Sequence, residues 1–244
     1  MLTAGRQPLA GRIGARRTGG PRAAVWLKQW LQALGVGRLL FALLTTVALI
    51  AAARQLGRTP QLGVDAWVLQ GLQQWLPSQL GPPLVRIYRL TGVQFSAVLV
   101  LAMAIFLALK RFWAEFTCLL VGSGGILVIV DRLLKPLFGR LRPADSLLEL
   151  QGGSFPSGHA AGSVVFYLLS ASLLALHVPR LRIPLLVGSS LWMALVWLSA
   201  LYCRAHWLSD IASGAAVGYV WLSCCLAGFT VWRRHHPAST RPHG

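Results

Sequence analysis

Two histidines, a carboxylate and a set of fixed cations fall into three short clusters of this sequence. They are KPLFGRLRP (Lys135 to Pro143), PSGH (Pro156 to His159) and the run from Ser199 to Asp210 that ends CRAHWLSD. A neutral imidazole can attack phosphorus, and a nearby carboxylate can fix its tautomer. Lysine and arginine can hold phosphoryl oxygens and the charge that gathers on them during transfer. The chemistry these side chains suit is attack on a phosphate.

Each cluster has a plainer reading when taken alone. Lys135 and Arg142, with Arg140 between them, would return to one helical face about two turns apart. Pro136 and Gly139 oppose a continuous helix there, and a turn could converge them as well. A basic loop drawn to anionic lipid satisfies the same residues without chemistry, and Asp131 is a helix-surface partner for Lys135. In PSGH, the backbone of Gly158 at a helix N-terminus suits an anion. The Ser157 hydroxyl either donates to that anion or caps the helix. His159 is placed to protonate a leaving group. In the third cluster His206 and Asp210 stack on one face if a helix has begun; the alternative is a polar pair capping that helix. Two ionisable groups at membrane depth are costly unless they do something, which favours function.

The elements that must carry these clusters are apolar. The chain has 244 residues, 55% hydrophobic and only 12% charged, with a mean hydropathy of +0.61. That composition places it in the membrane class. The formal net charge of +17, from 23 Lys and Arg against 6 Asp and Glu, would suit nucleic acid. The long apolar runs favour basic loops beside anionic headgroups instead, and no nucleic-acid partner is expected. Cys118, Cys203, Cys224 and Cys225 lack metal-site or disulfide spacing, so they read as packing residues.

Six apolar spans are expected, at about 36–53, 91–109, 112–130, 159–177, 183–203 and 208–232, most of them near the roughly 20 residues a spanning helix needs. The fold class is therefore all-α and polytopic. Its parts are a basic arm with an amphipathic interfacial helix (1–35), the six-helix membrane domain (36–232) and a basic tail (233–244). Trp26, Leu27, Trp30, Leu31 and Leu34 form the apolar stripe of the interfacial helix, and VDAWVLQGLQQWL reads as another. Gly214 and Gly218 form a small-residue contact motif in the last span.

Most cations outside the clusters fall on one side: the N-terminal arm, Lys110, Arg111, Arg180, Arg182, Arg233, Arg234 and Arg241. The positive-inside rule makes that side cytoplasmic and holds both termini there. All three clusters then face outward. Arginine far outnumbers lysine, which suggests a GC-rich bacterial genome and hence the inner membrane.

Taken together, the clusters resemble the signatures of the type 2 phosphatidic acid phosphatase superfamily: K-x6-R-P, P-S-G-H, and S-R-x5-H-x3-D. Lys135, Arg142 and Pro143 match the first, Pro156 to His159 the second, and Ser199, His206 and Asp210 the third. The resemblance covers roughly residues 60 to 230. It implies that His206 forms a phosphohistidine, that Asp210 orients its ring, and that His159 serves as acid and then base. Lys135, Arg142, Ser157 and Gly158 would hold the phosphoryl oxygens of a membrane lipid phosphate, with no metal or cofactor required. One position departs: Ala200 stands where the third signature has arginine. Arg204, one helical turn or about 5.4 Å further on, is the candidate to supply that contact. The implied activity is a lipid phosphate or diphosphate phosphatase; the alternatives are a lipid phosphotransferase or a non-catalytic lipid-binding or transport relative.

Overall fold

Gly35 joins two of the expected elements into one. The computed structural model describes residues 23–56 and 61–236, and the basic arm and most of the basic tail lie outside the described residues. Helix α1 (Ala23–Leu56) carries both the amphipathic stripe and the first span, and it kinks at Gly35, which adopts φ 75° and ψ 158°. Only glycine takes that backbone without a Cβ penalty. The second interfacial segment forms α2 (Gly63–Trp75).

The second crossing differs from its expected form. Helix α4 (Val93–Leu109) has 17 residues, short for a span, and follows α3 (Gly81–Leu90). The pair Ser78–Leu90 and Gln94–Leu109 qualifies only jointly, across a 57° bend. The sequence TG between them interrupts the helical hydrogen bonding, so α3 and α4 meet at a bend and do not form one straight span.

The third span runs further than expected. Helix α5 (Trp113–Leu127) passes through π-helical turns at Val128–Leu134 into a last turn, α6 (Lys135–Phe138). Pro136 is accommodated because it lies in the first positions of that turn, where its missing N–H costs little. Gly139 stops the helix in the left-handed region, φ 56°. The remaining spans are α7 (Gly158–His177), α8 (Arg182–Tyr202) and α9 (Leu208–His235).

Five of these elements are long and apolar enough to cross a membrane, six with the bent pair. The chain is an all-α, multi-pass membrane protein. Large apolar side chains on its outside, such as Leu40 and Leu44 of α1, Leu101 of α4 and Leu191 of α8, are exposed, as a surface dissolved in hydrocarbon requires. Helix α7 is the central post: Val165, Leu169 and Leu173 are fully buried in the main core. Helix α9 packs closely on it because Gly214 and Gly218 lack side chains. A Cβ on Gly218 would stand 2.6 Å from the Ala161 carbonyl oxygen, and one on Gly214 would overlap that of Ser157. The close contact sets the N-terminal turn of α7 directly against the start of α9.

Candidate active site

Helix ends supply the three clusters, and all three arrive at one end of the bundle. Lys135 ends the long α5 segment, His159 opens α7, and His206 precedes α9. The loop from Arg140 to Ser157 lies over them. The His159 and His206 ring centroids are 6.2 Å apart.

Lys135 and Arg142 both line, with His159, His206 and Gly158, the polar end of a cavity of about 500 Å³. The other walls are apolar: Val100, Leu101 and Ala104 of α4, Leu120 and Leu127 of α5, and Phe166 of α7. Lys135 Nζ meets Asp131 Oδ1 at 2.6 Å, the expected i, i+4 pair. Asp131 therefore moderates the positive charge at the cavity wall.

Arg142 is positioned by backbone. Its Nη1 donates to the Ala205 carbonyl at 2.7 Å, and its other nitrogens reach the carbonyls of Gln151, Gly152 and Gly153 at 3.3–3.4 Å. The same Nη1 lies 3.4 Å from His206 Nε2. Since guanidinium only donates, Nε2 is the acceptor and carries a lone pair. Nδ1 then bears the hydrogen and donates to the Ser154 carbonyl at 2.9 Å. Burial lowers the pKa of His206 below its ordinary 6.5; Asp210 opposes that shift, and the Arg142 and Lys135 charges add to it. The lowered pKa favours the neutral imidazole, whose Nε2 lone pair is turned toward Arg142 and the cavity.

Asp210 stands 3.6 Å from His206 Nδ1, further than the Ser154 carbonyl. Its oxygens are engaged elsewhere. Oδ1 accepts from Arg140 Nη1 at 2.6 Å and Oδ2 from the Trp207 backbone N–H at 2.9 Å. Asp210 thus caps its helix and acts on the ring across a short gap.

Arg140 has a part that its place in the sequence does not reveal. It is buried between two carboxylates, with Nη2 donating to Asp65 Oδ2 at 2.7 Å. Asp65, on α2, also accepts from the Ser209 backbone N–H at 2.8 Å and from its hydroxyl at 2.7 Å. Asp65, Arg140 and Asp210 form a fully buried chain with one net negative charge, which faces the imidazole. A lone carboxylate on an otherwise uncharged amphipathic helix was the signal available in the sequence. Tyr88 is a second such residue. It stacks on His159 with centroids 4.8 Å apart and planes at 23°. His159 Nε2 is buried and finds no hydrogen-bond partner among the described residues, and the Tyr88 ring covers one face of its imidazole.

Two expected phosphate contacts are placed elsewhere. Ser157 is fully buried as the N-cap of α7, where its Oγ accepts from the Ala160 N–H at 3.3 Å. It does not line the cavity; the capping alternative is what the fold uses. Arg204 does not reach the cavity either. It adopts φ 52° just beyond α8, which turns its side chain away, to an ion pair with Asp145 and the Leu69 carbonyl. Ala200 is itself fully buried in the core cluster that contains Tyr88, Ala160 and Ala205, so apolar packing fills the place of the missing arginine.

A family model described as the PAP2 superfamily matches residues 91–234 of the chain. No curated protein matches it. Among solved structures, the crystal structure of a transmembrane PAP2-type phosphatidylglycerolphosphate phosphatase from Bacillus subtilis superposes with a TM-score of 0.67. The identity is 20%, and the match covers 80% of this chain and 96% of that one. At that identity the likeness shows a shared fold.

Proposed function

The chain belongs to the PAP2 superfamily, and from that premise we propose that it hydrolyses a lipid phosphate or diphosphate through a phosphohistidine on His206. The observation that carries this reading is the cavity. Its polar end gathers His159, His206, Lys135 and Arg142, while its walls are apolar side chains of membrane helices. A phosphate on an acyl or prenyl chain fits that division.

In the first half-reaction the Nε2 lone pair of His206 attacks phosphorus and the bond to the leaving oxygen breaks. His159, in its protonated form, gives that oxygen a proton. In the second half His159 takes a proton from water, whose oxygen attacks phosphorus and breaks the P–N bond to release inorganic phosphate. Lys135, Arg142 and the Gly158 backbone hold the equatorial oxygens in both halves. The charge that develops on the His206 ring is offset by the net negative chain of Asp65, Arg140 and Asp210.

The termini are assigned to the cytoplasm and the cavity to the outer face of a bacterial inner membrane, on the distribution of arginine and lysine. The test is phosphate release from a panel of lipid phosphates by wild type and His206→Ala. The panel holds phosphatidylglycerol phosphate, phosphatidate, undecaprenyl diphosphate and phosphorylated lipid A. Free phosphate from one member, lost in the variant, is the expected result. Phosphate appearing only on an added lipid or sugar acceptor would show transfer, and no turnover on any member would overturn the reading.

A further inference from the structure

A second charged recess lies at the far end of the bundle. It measures about 760 Å³, and Arg38, Arg182, Arg233 and Arg234 line it. Arg38 follows the Gly35 kink in α1, Arg182 begins α8, and Arg233 and Arg234 lie in the last turn of α9. The C-terminal turns of α7 contribute Leu173 and Leu176, and α9 contributes Phe229. The Arg233 guanidinium sits 5.6 Å above the Phe229 ring, a cation–π contact that steadies it over the apolar wall.

Among the described residues, no acidic side chain lines the recess beside these four arginines. The chain has only six acidic residues, and none of them lines the recess. Asp65, Asp131, Asp145, Glu149 and Asp210 all belong to the catalytic end. Glu115 is buried against His177, with oxygen and nitrogen 3.4 Å apart. The sequence outside the described residues contains no Asp or Glu. Four guanidinium groups around one recess repel each other unless an outside anion intervenes.

We propose that this recess binds an anionic phospholipid of the surrounding bilayer as a resident ligand. Guanidinium forks match the phosphodiester oxygens, and the adjoining leucine and phenylalanine wall takes the upper part of an acyl chain. Helix α7, with 20 residues from Gly158 to His177, separates this recess from the catalytic cavity. At 1.5 Å per residue that is roughly 30 Å, the hydrocarbon thickness of a bilayer. The lipid in the recess and the substrate in the cavity therefore occupy opposite leaflets. The bound headgroup ties α1, α8 and α9 together where their cations would otherwise push them apart.

The experiment uses the full chain in neutral detergent, titrated with phosphatidylglycerol, phosphatidylcholine or inorganic phosphate. Thermal stability and lipid retention by native mass spectrometry are read together. Phosphatidylglycerol should raise the melting temperature and stay bound, whereas phosphatidylcholine and free phosphate should do neither. The triple variant R182Q/R233Q/R234Q should lose roughly tenfold or more in apparent affinity for phosphatidylglycerol, because several charge-assisted hydrogen bonds are removed at once. Its phosphate release in detergent without added lipid should match wild type, which shows that it is folded; R182Q/R233Q serves in its place if it is not. Equal retention of phosphatidylglycerol by wild type and variant overturns the proposal. So does equal stabilisation by phosphatidylcholine, or by inorganic phosphate where that stabilisation is lost in the triple variant and so arises at the recess.

Discussion

The Nδ1 of His206 lies 2.9 Å from the Ser154 carbonyl oxygen, and Asp210 Oδ2 lies 3.6 Å from the same nitrogen. The ring's tautomer is therefore held first by a backbone carbonyl in the loop after α6 and second by a carboxylate on α9. A carbonyl holds the hydrogen on Nδ1 but supplies no full charge against the imidazolium-like intermediate. His206→Ala should abolish turnover and the labelled phosphoenzyme. Asp210→Asn should leave a measurable rate, slower by about 10²–10⁴-fold, the range for a lost acid–base or electrostatic partner. Phosphoenzyme trapping on both variants checks this; an Asp210→Asn protein as dead as His206→Ala contradicts the division of roles.

Arg142 and Arg204 separate cleanly. Arg142 lines the cavity and touches His206 Nε2, whereas Arg204 is committed to Asp145 and to the Leu69 carbonyl. Arg142→Ala should lower kcat/KM by roughly 10- to 100-fold or more, the worth of one or two charge-assisted hydrogen bonds. Arg204→Ala should leave kcat/KM within about twofold and act on stability instead, since its largely buried side chain pairs with the exposed Asp145. Steady-state kinetics on the preferred lipid phosphate decides between them.

The pH dependence follows from His206. Burial lowers its pKa from 6.5, so the folded site keeps the ring neutral under conditions where an exposed histidine would already hold a proton. The acidic limb of kcat/KM, which reports the free enzyme, should therefore fall below pH 6.5. Stability takes the same sign: above 6.5 both folded and unfolded rings are neutral. As the pH drops through 6.5 the unfolded chain gains a proton the native site resists, and stability declines. A pH–rate profile with its acidic midpoint above 6.5 would contradict this account.

Gly214 links membrane packing to the site. A Cβ there would collide with the Ser157 carbonyl oxygen, backbone that cannot swing aside. Gly214→Ala must separate α9 from the turn that carries His159, and it should cost about 1–3 kcal/mol as overpacking does. Because His206 rides on the start of α9, kcat should fall together with the melting temperature. Normal activity in a destabilised Gly214→Ala protein would show that the two histidines do not depend on this contact.

Much of this is legible in the sequence, for physical reasons. Apolar runs announce membrane helices because lipid admits no unpaired backbone; the spacing of His206 and Asp210 brings them close, but α9 begins only at Leu208, with Asp210 in its first turn and His206 in the preceding bend. The break between α3 and α4 was less visible, since apolar composition gives the length of a run but not its bend. Ser157 offered two uses, and only geometry shows its hydroxyl capping α7. Helical spacing from Ser199 does not carry to Arg204, which lies beyond the end of α8 with φ 52° and pairs with Asp145. The pairing of Asp65 with Arg140 joins residues 75 positions apart, and no local periodicity encodes such a contact.

That distant pairing yields the most demanding prediction. Asp65 lies outside the segment matched by the family model, which begins at residue 91, yet it fixes Arg140, and Arg140 fixes Asp210. Removing one member of a buried ion pair typically costs about 3–5 kcal/mol, because the partner charge is left uncompensated. Asp65→Asn keeps the shape and the hydrogen bond to Ser209, so a folded protein should be obtained. Its Arg140 would then be neutralised by Asp210 alone, drawing that carboxylate's charge away from His206. The expected signature is a kcat lowered by roughly tenfold or more with KM changed less than about twofold, since Lys135 and Arg142 still bind the phosphate. A merely structural role for Asp65 predicts instead a lower melting temperature with kcat per folded molecule intact. Kinetics normalised to folded protein by thermal denaturation separates the two.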